Sequence, residues 1–145
     1  MAAAILKHLI ANQPDATEWQ IASAGTWARS GAPAALLSQL VMQEMGADIS
    51  THQSQPVTAE LIEDFDLILT MEDQQKEGLI LAFPGQADRI FMLSEMVNRT
   101  ENVPDPILGE LEDYQATAKL MERYLSGGLQ KILQLASKHT SEKST

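Results

Sequence analysis

The chain contains no cysteine. For these 145 residues that excludes disulfides, Cys-ligated zinc and iron–sulfur sites, thiol redox switching and thiolate nucleophiles together. Basic residues are also scarce. Ten Lys and Arg stand against twenty Asp and Glu, a net charge of −10 that disfavours a phosphate-backbone or anionic-membrane partner. No apolar run approaches the roughly 20 residues that a membrane-spanning helix needs. The opening residues lack the basic segment of a signal peptide, and Lys7 and His8 interrupt their apolar run. The composition therefore reads as a cytoplasmic protein with no nucleic-acid and no membrane partner, long enough for one domain that buries roughly two-thirds of its unfolded surface.

What is present alternates between helical and strand patterns. "MAAAILKHLI" is an amphipathic helix with no Ser, Thr, Asp or Asn to cap its start. "WQIASAG" reads as a short buried strand, and Leu36, Leu37, Leu40, Val41 and Met45 recur at helical spacing up to Gly46, a residue suited to end a helix. Thr58 is placed to cap a short helix through Asp64. Phe65 to Met71 form a nearly continuous apolar run, the pattern of a strand covered on both faces in a parallel sheet. A helix from Asp73 to about Phe83, a strand over "RIFML" and a long Pro-containing connection follow. Apolar residues from Leu111 to Ala136 mark a long helix that Gly127 and Gly128 predict to break, and residues 138–145 have the composition of a disordered tail. Three strands among helices predict an α/β fold with parallel strands and right-handed crossovers.

The order of several segments carries a resemblance. "ASAGT", "GADISTHQSQPVT", "DLILTM", "RIFMLSE" and "VPDPILGELEDYQATAKLMERYL" together resemble the low-molecular-weight protein tyrosine phosphatases, from Met1 to about Ala136. The resemblance implies a phosphotyrosine phosphatase I-like, flavodoxin-like architecture: a three-layer arrangement of a parallel sheet flanked by helices, here a single domain over residues 1–137. It also implies hydrolysis of phosphomonoesters through a cysteinyl-phosphate, with no cofactor and no metal. The substrate in intact relatives is a phosphorylated protein or a small aryl phosphate.

In that family the central first strand leads into a Cys-x5-Arg loop and then a helix containing a Met-Ala segment like "MAAAIL". Met1 matches that internal methionine, so the resemblance implies a chain missing its central first strand and phosphate loop. A start assigned too far downstream or a shortened polypeptide would produce that boundary. None of Arg29, Arg89, Arg99 and Arg123 follows a cysteine. The expected consequence is a family member inactive as given; the alternative is a non-catalytic pseudophosphatase acting as a protein-binding module. Loss of a central strand would also leave strand edges open to homo-oligomer formation.

Four side chains match site positions of the family. An Asp-Pro pair alone reads as a turn signal, but the resemblance makes Asp105 the general acid that protonates the leaving group and then activates water. Ser23 and His52, otherwise a strand-end serine and a loop histidine, match residues that support the phosphate loop. Trp27 matches an aromatic wall of the substrate pocket, in a loop about one residue shorter than the family's. Ile107 and Leu108 stand where many members have aromatics, which weakens the grip on an aryl group. The acidic stretches "EDFD" and "ELED" lack a calcium-loop pattern and read as solvated helix surfaces and ends.

Overall fold

The computed structural model describes residues 1–143. The chain divides into two compact units, the first of Met1–Val57 with Asp105–Leu125, the second of Thr58–Pro104 with the chain from Ser126 onward.

The first unit is helical. Helix α1 spans Ala2–Ile10, its Met1 N-cap makes no side-chain cap bond, and Ile5 and Ile10 are its buried residues. Helix α2, Leu36–Glu44, buries Val41 and Met42. It stops because Gly46 takes a left-handed φ of 84°, which lets the Ala47 amide reach the Met42 carbonyl at 2.8 Å and the Gly46 amide reach that of Gln43 at 3.0 Å. Those two bonds satisfy carbonyls that the helix end would orphan. Helix α5, Leu111–Gly127, buries Tyr114, Thr117, Ala118, Met121, Tyr124 and Leu125 along one face, the three-and-four spacing of an amphipathic helix.

The second unit holds the sheet. Helix α3 spans Ala59–Asp64, capped by the Thr58 hydroxyl, which accepts the Leu61 amide. Strand β1, Ile68–Thr70, pairs in parallel with β2, Ile90–Met92, in the register Ile68 with Ile90 and Thr70 with Met92. Helix α4, Asp73–Ala82, supplies the crossover. Helix α6, Leu129–Lys143, follows the break at Gly128 and buries Ile132, Ala136 and His139. No helix among the described residues is long and apolar enough to cross a membrane.

Three expectations differ from the structure. Residues 19–25 form no strand: they contribute only a parallel bridge from Gly25 to Pro56, and none of residues 20–24 has a backbone partner among the described residues. An extended segment becomes a strand only when a neighbour completes its ladder. The strand expected over Phe65–Met71 narrows to Ile68–Thr70, with Ile68 and Leu69 only half-buried. Residues 138–143, expected to be disordered, continue α6. Thr140 donates to Asp66 at 2.8 Å, and Lys143 meets the Asp66 carboxylate at 3.1 Å and the Glu63 carbonyl at 2.9 Å, which ties the helix end down. Ser144 and Thr145 lie outside the described residues.

The junction after β2 depends on Glu95. Its carboxylate accepts the Met92 amide at 2.6 Å and the Lys76 ammonium at 2.9 and 3.0 Å, while its carbonyl accepts the Lys131 ammonium at 2.8 Å. Partial burial favours the neutral acid, but the Met92 and Lys76 hydrogen bonds and the charges of Lys76 and Lys131 outweigh it and hold the carboxyl below its ordinary value. A carboxyl depressed on folding contributes stability above its unfolded value, about 4.3, and loses it as pH falls through the lower folded value. Glu95→Gln is accordingly expected to lower unfolding free energy at neutral pH by about 1–3 kcal/mol. It should also flatten the acid-side loss of stability, both read by urea denaturation between neutral and acid pH.

Candidate functional site

Within the first unit, the start of α1 (Met1, Ala3, Ala4) together with Ser23, His52 and Ser54 lines an open cavity of about 550 Å³. Lys7 and Asp48 add opposite charges to its wall. A helix start presents amide donors without intrahelical acceptors and the positive end of the helix dipole. The cavity therefore combines amides, hydroxyls, an imidazole, an ammonium and a carboxylate, polar groups of both charges. It contains no nucleophile of the thiolate kind, because the chain has no cysteine.

The four candidate residues separate into two groups. Ser23 and His52 line the cavity together. Trp27 and Asp105 are not among its lining residues, although both belong to the first unit. Trp27 is 96 % exposed. The Asp105 carboxylate accepts the Ile107 amide at 3.0 Å, an Asx turn that shapes the loop ahead of α5. That geometry leaves Asp105 with one acceptor oxygen outside this bond. Three residues further on, Leu108 has a left-handed φ of 68° and is 99 % exposed.

Two side chains that the sequence did not single out organise the cavity rim. Ser54 bonds the loop between Thr26 and Ala35 through its hydroxyl and its backbone: the Ala32 amide donates to Oγ at 3.1 Å, Oγ donates to the Arg29 carbonyl, and the Ser54 and Ala32 backbones exchange a bond at 2.8 Å. Gln55 donates its Nε2 to the Ser23 carbonyl at 3.0 Å, and its own carbonyl accepts the Gly25 amide at 3.0 Å. In "THQSQP" these residues look like ordinary turn formers. Their partners lie more than twenty positions away, and no local pattern signals such pairing.

No group of three or more His, Cys, Asp or Glu side chains among the described residues is placed to hold a metal ion. A smaller cavity of about 160 Å³, lined by Ile5, His8, Leu9, Met42, Met45 and Glu122 among others, lies elsewhere in the same unit.

Comparison with known proteins supplies the class. Residues 1–138 match the family described as low molecular weight phosphotyrosine protein phosphatase. The chain belongs to that family. It is 31 % identical over 112 residues to the probable low molecular weight protein-tyrosine-phosphatase EpsP of Ralstonia nicotianae, covering 77 % of this chain and 76 % of the relative. It is 29 % identical over 114 residues to a protein-arginine-phosphatase of Geobacillus stearothermophilus, covering 78 % and 76 %. Among solved structures, the low molecular weight protein tyrosine phosphatase of T. tengcongensis superposes with a TM-score of 0.83 at 30 % identity, over 90 % of this chain and 88 % of that one. The YwlE arginine phosphatase from Geobacillus stearothermophilus superposes with a TM-score of 0.82 at 26 % identity, over 95 % and 86 %. These findings agree with the α/β, parallel-sheet architecture expected from the resemblance.

Gly31 ties the rim to a backbone requirement. It takes a left-handed φ of 81°, and a Cβ built on it would meet nothing within 4 Å, so the cost of a side chain there is conformational alone. Gly31→Ala is expected to destabilise the chain by about 1–2 kcal/mol, with loss of amide protection at Gly31 and Ala32, checked by chemical denaturation and hydrogen exchange.

Proposed function

We propose that the chain carries the scaffold of a phosphatase acting on phosphorylated proteins, and that the 145-residue polypeptide taken alone does not complete the reaction. The observation that carries this reading is the absence of cysteine from a member of this family. Hydrolysis through a cysteinyl-phosphate needs a thiolate to attack phosphorus while the P–O or P–N bond to the leaving group breaks. It also needs amide donors and a cation placed for the charge of the transferring group. Seryl hydroxyls stand at the cavity, but a hydroxyl without a paired base is a weak nucleophile.

In this reading Asp105 is the general acid and later the base for water, Ser23 and His52 support the anion-holding loop, and Trp27 forms a wall beside the substrate side chain. The shared cavity position of Ser23 and His52 supports their part. The phosphorylated residue is a tyrosine or an arginine, since relatives named for each are similar to this chain to comparable degree. Ile107 and Leu108 after the Asp-Pro pair offer no ring to stack on an aryl group.

A second reading, a non-catalytic protein-binding module, is favoured by the exposure of five large apolar side chains in the first unit, Trp27 (96 %), Leu36, Leu40, Ile107 and Leu108 (99 %). Exposed apolar groups of this size are enriched at interfaces.

The purified chain is expected to release no phosphate above buffer from an aryl phosphate, a phosphotyrosyl peptide or an arginine-phosphorylated protein. Turnover that Asp105→Asn abolishes would overturn the inactive reading, and stoichiometric binding of a protein that Trp27→Ala abolishes would favour the second.

A further inference from the structure

We infer that Ser54 is a positioning residue whose hydroxyl sets the orientation of the Trp27 loop. The inference rests on the reading of Trp27 as a substrate-facing wall, but the geometry behind it is independent of that reading. The loop begins at the parallel bridge between Gly25 and Pro56 and ends at the antiparallel bridge between Pro33 and Gln53. Between those two bridges, no residue of the loop is buried, and only Thr26 to Ala32 separate them. Apolar packing is thus unavailable to fix this segment, and hydrogen bonds are the remaining means.

Those bonds converge on one residue. The Ser54 amide donates to the Ala32 carbonyl at 2.8 Å, its carbonyl accepts the Gly31 amide at 2.8 Å, and its Oγ both accepts the Ala32 amide at 3.1 Å and donates to the Arg29 carbonyl. The backbone pair would survive substitution by alanine or threonine. The Arg29 bond would not: it is made by the hydroxyl alone, and it is the one that reaches toward Trp27. A group that accepts and donates at the same atom is required, which serine and threonine supply and alanine does not. The left-handed Gly31 turns the chain so that its amide faces the Ser54 carbonyl.

Gln55, next in sequence, holds the Ser23 carbonyl. One short stretch therefore fixes the backbone at a cavity-lining serine and at the loop bearing the exposed indole. Ser54 acts on the indole through the Arg29 carbonyl and the intervening backbone. Ser54 also lines the cavity, so the effect of a change at this position on the wall is read at Trp27 itself and not through ligand binding.

The test uses Trp27 as its own reporter, in the full chain carrying Trp19→Phe so that one tryptophan remains of the two. Time-resolved fluorescence anisotropy and amide exchange at Gly31 and Ala32 are compared for the parent, Ser54→Ala and Ser54→Thr. Ser54→Ala is expected to add a fast, large-amplitude depolarisation at Trp27 and to lose protection at Ala32 about tenfold, a change of about 1.4 kcal/mol, with exchange in α5 and the thermal midpoint unchanged. Ser54→Thr is expected to keep the parent's anisotropy. Unchanged anisotropy in Ser54→Ala overturns the proposal, as does loss of α5 protection together with the loop, or failure of threonine to restore the parent signal. Because no turnover is measured, phosphate release by the chain would sink the inactive reading and leave this result standing.

Discussion

Hydrogen bonds from a single stretch, Gln53 to Val57, hold the rim of the cavity together. Both β-bridges of the first unit land on it, at Gln53 and Pro56. Ser54, Gln55 and Val57 bond the chain at Ser23, Gly25, Arg29, Gly31 and Ala32. Without a sheet ladder in this unit, backbone polar groups outside the helices have only such cross-loop partners or solvent. The side chains that line the cavity owe their positions to this arrangement more than to hydrophobic packing: Ser23 and His52 are exposed. Apolar burial in the unit lies instead along α1, α2 and α5.

The second unit is organised on a different principle. Two three-residue strands are too short to be independently stable, and ionic and capping contacts reinforce them. Arg89, 7 % exposed, donates from its guanidinium to the Phe65 carbonyl at 2.6 Å and so links the chain just before β2 to the chain just before β1. Asn102 accepts the Asp73 amide at 2.9 Å and donates to the Asp73 carboxylate at 3.3 Å, serving the first turn of α4 from 29 positions away. Val103, 1 % exposed, adds an amide bond to the Met71 carbonyl at 2.8 Å. The connection into Asp105 therefore leaves this unit from an anchored point.

Much of the fold was readable from local signals. Helices α1 to α4 follow from apolar spacing, the Thr58 cap and the Gly46 stop, and the division of the last helical stretch follows from the glycine pair, since each of these is decided within a few residues. The family itself was legible in the order of quoted segments. What was not legible depends on distant partners. Residues 19–25 look like a strand because strand propensity is local, whereas strand formation needs a neighbour. The polar composition of 138–143 suggested disorder, but Thr140 and Lys143 meet Asp66 some seventy positions earlier. Ser23 and His52, singled out by resemblance, line one cavity, whereas Ser54 and Gln55 act through backbone contacts that no motif encodes.

Leu108 carries a consequence of its own. A leucine with a left-handed φ of 68° costs about 1–2 kcal/mol in its backbone, and with almost its whole surface in water it gains no burial energy to offset that. Glycine or asparagine would relax the peptide there, while valine or isoleucine would tighten the clash of Cβ with the neighbouring carbonyl. The turn after Asp105, closed by the Gly109 amide on the Pro106 carbonyl at 2.8 Å, thus holds its apex residue in a conformation that leucine adopts only at a cost.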